Sequence, residues 1–218
     1  MALKDTIKGF LGLSGAYSKA VQYLAENGYD DRYIEILDEC MAGKGKKQTA
    51  EGMALKAQGL LFKGDLGKAA EVFASADVRA VPKDISSIFV NNYILCLFLM
   101  DKFTEARKIY EEYNDLALSG DSLQMRRSVG INEHINKRYE NAVTVFVKLL
   151  PQPDPRATLM ADICIVKTFL RLDMKARAKE ISDQYFARYN GKSELTGEIN
   201  KLNAKINTHN KKRTNKRG

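Results

Sequence analysis

Three segments of the chain share one residue pattern at nearly equal spacing. In each, a short turn holds an aromatic or apolar residue, alanine follows three residues later, and a bulky apolar residue follows four residues after the alanine. The segments are GDLGKA at 64–69 with Phe73, DKFTEA at 101–106 with Tyr110, and KRYENA at 137–142 with Phe146. The alanines are 37 and 36 residues apart. This spacing is typical of helical-hairpin repeat proteins, in which each helix pair packs on the next.

The pattern predicts helix–turn–helix units at about 50–83, 87–119 and 123–153, with the alanine where two helices cross closely. Apolar residues at helical spacing predict a weaker unit on each side. In the upstream unit Arg32 replaces the alanine, and in the downstream unit Ala178 lies in the second helix. The predicted fold is all-α: a right-handed α-solenoid of about five antiparallel helical hairpins with terminal capping helices.

Four regions follow from this organisation. Residues 1–13 carry an apolar stripe and are predicted to form an N-terminal amphipathic cap helix, with a membrane-surface helix as the alternative. Residues 14–190 form the predicted repeat domain. Residues 191–207 are predicted to form a C-terminal capping helix. Residues 208–218 form a basic tail, and we expect it to be disordered because it has too few apolar residues to bury.

The net charge of +8 is concentrated near the C-terminus. Residues 205–218 hold six basic residues and no acidic one, which leaves 29 basic and 27 acidic residues in 1–204. The tail could therefore bind nucleic acid non-specifically through its charge, or it could only keep the chain soluble. It has no aromatic residues on which bases could stack.

Residues that commonly carry catalysis or bind metals are scattered. The only histidines are His134 and His209, and the three cysteines, Cys40, Cys96 and Cys164, lack the spacing of a zinc site. The segment 43–47, Gly-Lys-Gly-Lys-Lys, does not have the spacing of a phosphate-binding loop. We therefore expect no enzyme, no cofactor and no metal.

The expected location is the cytoplasm. An odd number of dispersed cysteines suits a reducing compartment. The longest apolar run, Tyr93 to Met100, is too short to span a bilayer, and Lys4, Asp5 and Lys8 interrupt any signal-peptide core.

The spacing resembles the tetratricopeptide repeat family over roughly residues 14–190. The residues that fit the family pattern are Ala57, Leu60, Leu66, Ala69, Phe73 and Ala76 in one unit, and Gly130, Tyr139, Ala142 and Phe146 in a later one. The chain departs from the pattern where Ile94 replaces the small residue of the middle unit, and it contains no tryptophan.

The resemblance implies a non-catalytic scaffold that binds a peptide or helical segment of a partner protein in a concave groove lined by the first helices. The expected lining residues are Tyr17, Gln58, Asn91, Asn92, Leu95, Arg127, Ile131, His134, Asp162 and Phe169. The alternative for any of them is packing against an adjacent helix, including the chain's own terminal helices. Two other functions stay open: a nucleic-acid or ribosome-associated factor that acts through the tail, and a membrane-peripheral assembly factor. The partner's identity and the oligomeric state do not follow from the sequence.

Overall fold

The computed structural model describes residues 15–119, 123–150, 155–189, 198 and 200–207. These residues form helices, short 3-10 turns and connecting loops, without a strand among them. The prediction of an all-helical chain is confirmed for this part. Residues 1–13 and 208–218, the predicted cap helix and tail, lie outside the described residues.

The helices follow one another with short connections. They are α1 Ser18–Asn27, α2 Asp31–Met41, α3 Lys46–Lys63, α4 Leu66–Ser75, α5 Lys83–Leu99, α6 Phe103–Glu112, α7 Asn114–Ala117, α8 Leu123–Ile135, α9 Tyr139–Val147, α10 Pro155–Arg171 and α11 Lys175–Tyr189. Two 3-10 turns, Gly15–Tyr17 and Val78–Ala80, precede α1 and α5. Residues 200–207 are also helical.

The chain divides into two compact units, residues 1–128 and residues 129–218, and helix α8 contributes to both. In the first unit α3 packs on α2 and α4, α5 packs on α4 and α6, and α3 also contacts α5. In the second unit α10 packs on both α9 and α11. Helices that are neighbours in the chain are thus neighbours within each unit. The solenoid arrangement and its right hand stay predictions.

Four interhelical turns have the same backbone geometry. Each has one residue with positive φ, placed five residues before a buried alanine: Gly64, Asp101, Lys137 and Asp173, at φ of 91°, 60°, 62° and 55°, before Ala69, Ala106, Ala142 and Ala178. The next residue in each turn donates its backbone N–H to the carbonyl five residues earlier, at 2.9 Å in all four cases. A left-handed residue followed by a backbone hydrogen bond that spans five residues is a common way to end a helix. One turn therefore closes four successive hairpins, including the hairpin α10–α11.

The first hairpin, α1–α2, has a different turn. Gly28 has φ 82° and ψ −165°, and the Asp30 carboxylate caps α2 by accepting a hydrogen bond from the Tyr33 N–H at 2.8 Å. Arg32, in the place of the alanine, is exposed and forms ion pairs with Glu35 and Glu39. The first hairpin therefore differs from the other four both in its sequence, where Arg32 replaces alanine, and in the backbone conformation of its turn.

Small residues allow the helices to approach closely. The four alanines of the pattern are fully buried, as is Phe146, one of the aromatic residues that follow them. A Cβ atom placed on Gly130 would lie 2.5 Å from Cε1 of Phe146, which is closer than van der Waals contact allows. In the first unit the Phe73 ring packs against Phe89 and Tyr93 of α5, with centroids 5.0 and 5.1 Å apart. The predicted position of the small residues at the crossings agrees with this packing.

Helix α3 is held against α2 by a close crossing and two ion pairs. A Cβ atom on Gly59 would lie 2.7 Å from the Tyr33 ring, so glycine permits this approach. Lys63 pairs with Asp31, and Lys56 pairs with Asp38 at 2.6 Å. The two lysines and the two aspartates are each seven residues apart, so antiparallel α2 and α3 meet in register.

The buried cysteines are packing residues. Cys96 and Cys164 are fully buried, Cys40 is half-buried, and none of the three forms a disulfide. Burial raises the pKa of the Cys96 thiol to about 12, and its Sγ donates to the Leu66 carbonyl at 3.4 Å. A thiol that stays protonated is a poor nucleophile.

Residues 200–207 pack within the second unit and contact α11. Leu202 and Ile206 are buried, and the Ser182 hydroxyl of α11 donates to Oδ1 of Asn203 at 2.5 Å. The other two apolar residues of the predicted cap helix, Leu195 and Ile199, lie outside the described residues.

Candidate functional site

Eight of the ten expected groove residues lie in the interior. Each is at most 6% exposed: Tyr17, Asn91, Asn92, Leu95, Arg127, Ile131, His134 and Asp162. Gln58 and Phe169 are half-buried. A side chain that is so little exposed offers almost no surface to a partner. The eight residues correspond instead to the alternative interpretation, in which they pack or form hydrogen bonds within the protein.

Asn91 holds the end of the short helix α7. Its side-chain amide donates to the Ala117 carbonyl at 3.2 Å and to Oγ of Ser87 at 3.3 Å. Ser87 Oγ donates in turn to the Ser119 carbonyl at 3.4 Å. The last carbonyls of a helix have no partner inside the helix, so side chains often satisfy them. Asn91 does this from the middle of α5, which explains its burial.

Asn92 and Arg127 form a buried polar pair between α5 and α8. The Arg127 Nη2 donates to Oδ1 of Asn92 at 2.9 Å, and both side chains are buried. Replacing either residue leaves a buried polar group without this hydrogen bond, which typically costs about 1–3 kcal/mol. Arg127→Ala and Asn92→Ala therefore perturb the fold itself, and a loss of partner binding in these variants is no measure of a groove.

His134 and Thr168 connect α8 and α10 in the second unit. The His134 Nδ1 lies 2.8 Å from Oγ1 of Thr168, and this hydroxyl donates to the Cys164 carbonyl at 2.8 Å. Because the hydroxyl has a single proton, Thr168 accepts from His134, so Nδ1 of His134 carries a proton. The imidazole also meets the Tyr139 ring edge to face, with centroids 5.1 Å apart. His134 is thus a structural hydrogen-bond donor here.

Tyr17 ties the first 3-10 turn to the N-terminal part of α3. Its hydroxyl donates to the Gln48 carbonyl. Burial, with the nearby Glu51 carboxylate as a second cause, raises the pKa of Tyr17 to about 12, so the hydroxyl keeps its proton. Gly52 makes room for it, since a Cβ atom there would lie 2.5 Å from the Tyr17 oxygen.

The other three interior residues lie in both units. Leu95 of α5 and Ile131 of α8 are fully buried apolar residues, and Asp162 of α10 is a fully buried carboxyl residue. Each of these three side chains is therefore interior within its own unit.

Two half-buried side chains, Gln58 and Phe62, lie beside the buried Ala54 on a first helix of the first unit. Ala54, Gln58 and Phe62 follow one another at intervals of four residues on α3, so they share one side of the helix. We call these three residues the α3 face. Gln58 and Phe62 are half-buried, and the Phe62 ring packs on Tyr29 with centroids 5.0 Å apart. Phe62 was not among the expected lining residues, although its spacing from Gln58 could have indicated it.

The charged groups with shifted pKa values on the surface are in ion pairs. The Arg138 guanidinium, at 2.6 Å from the Glu133 carboxylate, lowers the pKa of Glu133, and Asn141 adds a further hydrogen bond. Such a pair links the end of α8 to the turn before α9. In the part of the chain that the structure describes, no three His, Cys, Asp or Glu side chains are grouped as metal ligands.

No helix within the described ranges is long and apolar enough to cross a membrane. Comparison of the chain with protein-family models, with curated proteins and with solved structures found no match. The resemblance to the tetratricopeptide repeat family therefore stays a prediction.

Proposed function

We propose that the chain is a non-catalytic protein–protein interaction scaffold, a tetratricopeptide-like right-handed solenoid that binds a peptide or helical segment of a partner. The observation that carries the proposal is the turn shared by four hairpins, each followed by a fully buried alanine. Repeated hairpins of this kind form preordered surfaces. A preordered receptor loses little conformational entropy on binding, so more of the contact energy appears as affinity.

Gln58 of the α3 face is one of the two expected groove residues that are only half-buried; the other, Phe169, lies in the second unit. Gln58 offers an amide that can pair with a peptide backbone, and Phe62 offers an aromatic surface four residues away. A few polar groups among apolar ones are typical of binding sites, in which the polar groups fix orientation and the apolar surface supplies much of the affinity. The partner segment that suits this face is an amphipathic helix or an extended segment with apolar side chains.

Site-specific photo-cross-linking tests the proposal. A photoreactive amino acid at Gln58 in the full chain should give a defined cross-link to a partner protein from the native lysate. The matched control is Glu71, which is exposed on α4 of the same unit. The proposal fails if position 58 gives no cross-link, or the same set of products as position 71, while circular dichroism shows both variants folded. Flotation with anionic liposomes at high salt separates the scaffold from a membrane-peripheral factor, because salt screens binding through charge alone and only a chain with an inserted apolar surface should still float.

A further inference from the structure

The two compact units differ strongly in charge. Residues 1–128 hold 17 basic and 18 acidic residues, a net charge of −1. Residues 129–218 hold 18 basic and nine acidic residues, a net charge of +9. The tail 208–218 contributes five of these basic residues, so residues 129–207 still carry +4. The excess of positive charge is therefore a property of the whole second unit and is not confined to the tail.

Three lysines of the second unit are exposed. They are Lys148, directly after α9, Lys179 on α11 and Lys201 in the helical residues 200–207. Lys179 pairs with Asp183, and Lys201 with Glu198, both at 2.5 Å and within four residues of each other in the chain. Exposed pairs of this kind contribute little free energy. A phosphate group, which forms strong charge-assisted hydrogen bonds, can therefore compete for these lysines.

The surface favours a nucleic acid over a membrane. A helix that binds a bilayer keeps an apolar face free for the lipid. Ala178 of α11 and Leu202 and Ile206 of the following helix are buried in the protein. Val147 and Met174 are exposed, but they are single apolar residues, one on α9 and one in the turn before α11, and they do not form an apolar helix face. The basic residues are spread over several helices and the tail, which suits a long polymer of regular charge better than one short acidic segment. Duplex DNA carries one charge per about 1.7 Å of its axis.

We propose that the described helices of the second unit, α9 to α11 and residues 200–207, bind the phosphate backbone of nucleic acid without sequence preference, and that the first unit does not take part. Contacts to phosphates position a protein but carry no sequence information. This binding is separate from the protein-partner site on α3, so either proposal can fail without the other.

The test measures binding of the full chain to a short fluorescently labelled DNA duplex by anisotropy, over about 50–200 mM salt. The test variant is Lys148→Gln/Lys179→Gln/Lys201→Gln in the second unit. Its control is Lys19→Gln/Lys68→Gln/Lys102→Gln, three exposed lysines of the first unit with the same loss of charge. The plot of log K against log salt has a negative slope. Each lost lysine that contacts a phosphate should make this slope less steep by about 0.9.

The proposal predicts a smaller salt slope and weaker binding for the variant in the second unit, and unchanged binding for its control. Equal losses in both variants would show a general effect of net charge and overturn it. So would no binding of the full chain at the lowest salt, or loss of all binding on deleting 208–218 with no effect of the three substitutions. Stronger competition by polyglutamate or by anionic vesicles than by unlabelled duplex would assign the surface to another class of ligand.

Discussion

Replacing Gly130 with alanine should destabilise the second unit, although alanine is the better helix former. The new Cβ atom would lie 2.5, 2.8 and 2.9 Å from three carbon atoms of the Phe146 ring. This ring is fully buried, so it has no solvent-filled space into which it can turn. Overpacking of this kind costs about 1–3 kcal/mol, and the helix propensity of alanine returns up to about 1 kcal/mol. With the full return of about 1 kcal/mol, the net loss ranges from about 0 to about 2 kcal/mol, and we expect it near the middle of that range, about 1 kcal/mol, because three ring atoms are too close.

Gly67→Ala is the matched control. Gly67 is an exposed residue of α4, and a Cβ atom there would meet nothing within 4 Å. The same chemical change should therefore raise stability, by up to about 1 kcal/mol near the start of a helix. Urea unfolding followed by circular dichroism measures both variants, with the midpoint and the slope compared with those of the unchanged chain.

Opposite signs for the two variants are the expected result. If Gly130→Ala stabilises the chain as much as Gly67→Ala does, α8 and α9 do not cross closely at this point. The packing described for Gly130 and Phe146 would then be wrong. Gly130→Ser should destabilise the chain more than Gly130→Ala, because its side chain adds an oxygen at the same crowded position and serine is a weaker helix former.

Three further substitutions test other features of the fold. Lys137→Gly should stabilise the chain by roughly 1 kcal/mol in thermal unfolding, because Lys137 has φ 62° and a non-glycine residue is strained there; no gain would mean that the turn is relaxed. Ala106→Leu should cost about 1–3 kcal/mol, since Ala106 is fully buried at a helix crossing, and an unchanged melting temperature would contradict the hairpin register. The hydrogen bond from Lys63 lowers the pKa of Asp31 below its ordinary value of 3.8, so the pair stabilises the fold above that value and is lost as the pH falls through the lowered pKa. Carboxyl chemical shifts should show this pKa rising in Lys63→Met, and an unchanged titration would show that the ion pair does not form in solution.

The spacing of the alanines was sufficient to place the turns. Each of Ala69, Ala106 and Ala142 follows a turn by five residues, and the weaker downstream unit with Ala178 has the same geometry. The pattern could not show that Lys137 adopts a left-handed conformation, because lysine has no preference for it. In the structure this angle occurs together with the hydrogen bond from the Arg138 N–H to the Glu133 carbonyl and the close approach of Gly130 and Phe146 on either side of the turn.

The accessibility of the expected groove could not be predicted in the same way. Helical spacing identifies residues that share a side of α5, but it does not show what covers that side. The Asn91 amide donates a hydrogen bond to the Ala117 carbonyl of α7, a short helix outside the repeat pattern. Asn92 accepts a hydrogen bond from Arg127. Both partners lie 26 or more residues away in the chain. Burial at these positions depends on such distant contacts, whereas the close crossings depend on the local choice of a small residue.

The shared turn allows different residues to be compared at one position that ends a helix. One backbone shape is filled by glycine, aspartate, lysine and aspartate at 64, 101, 137 and 173. Exchanging these side chains among the four places would compare the same residues in one solvent, one polypeptide and one geometry. The differences that remain would measure how far the neighbouring helices, rather than the residue itself, decide where a helix stops.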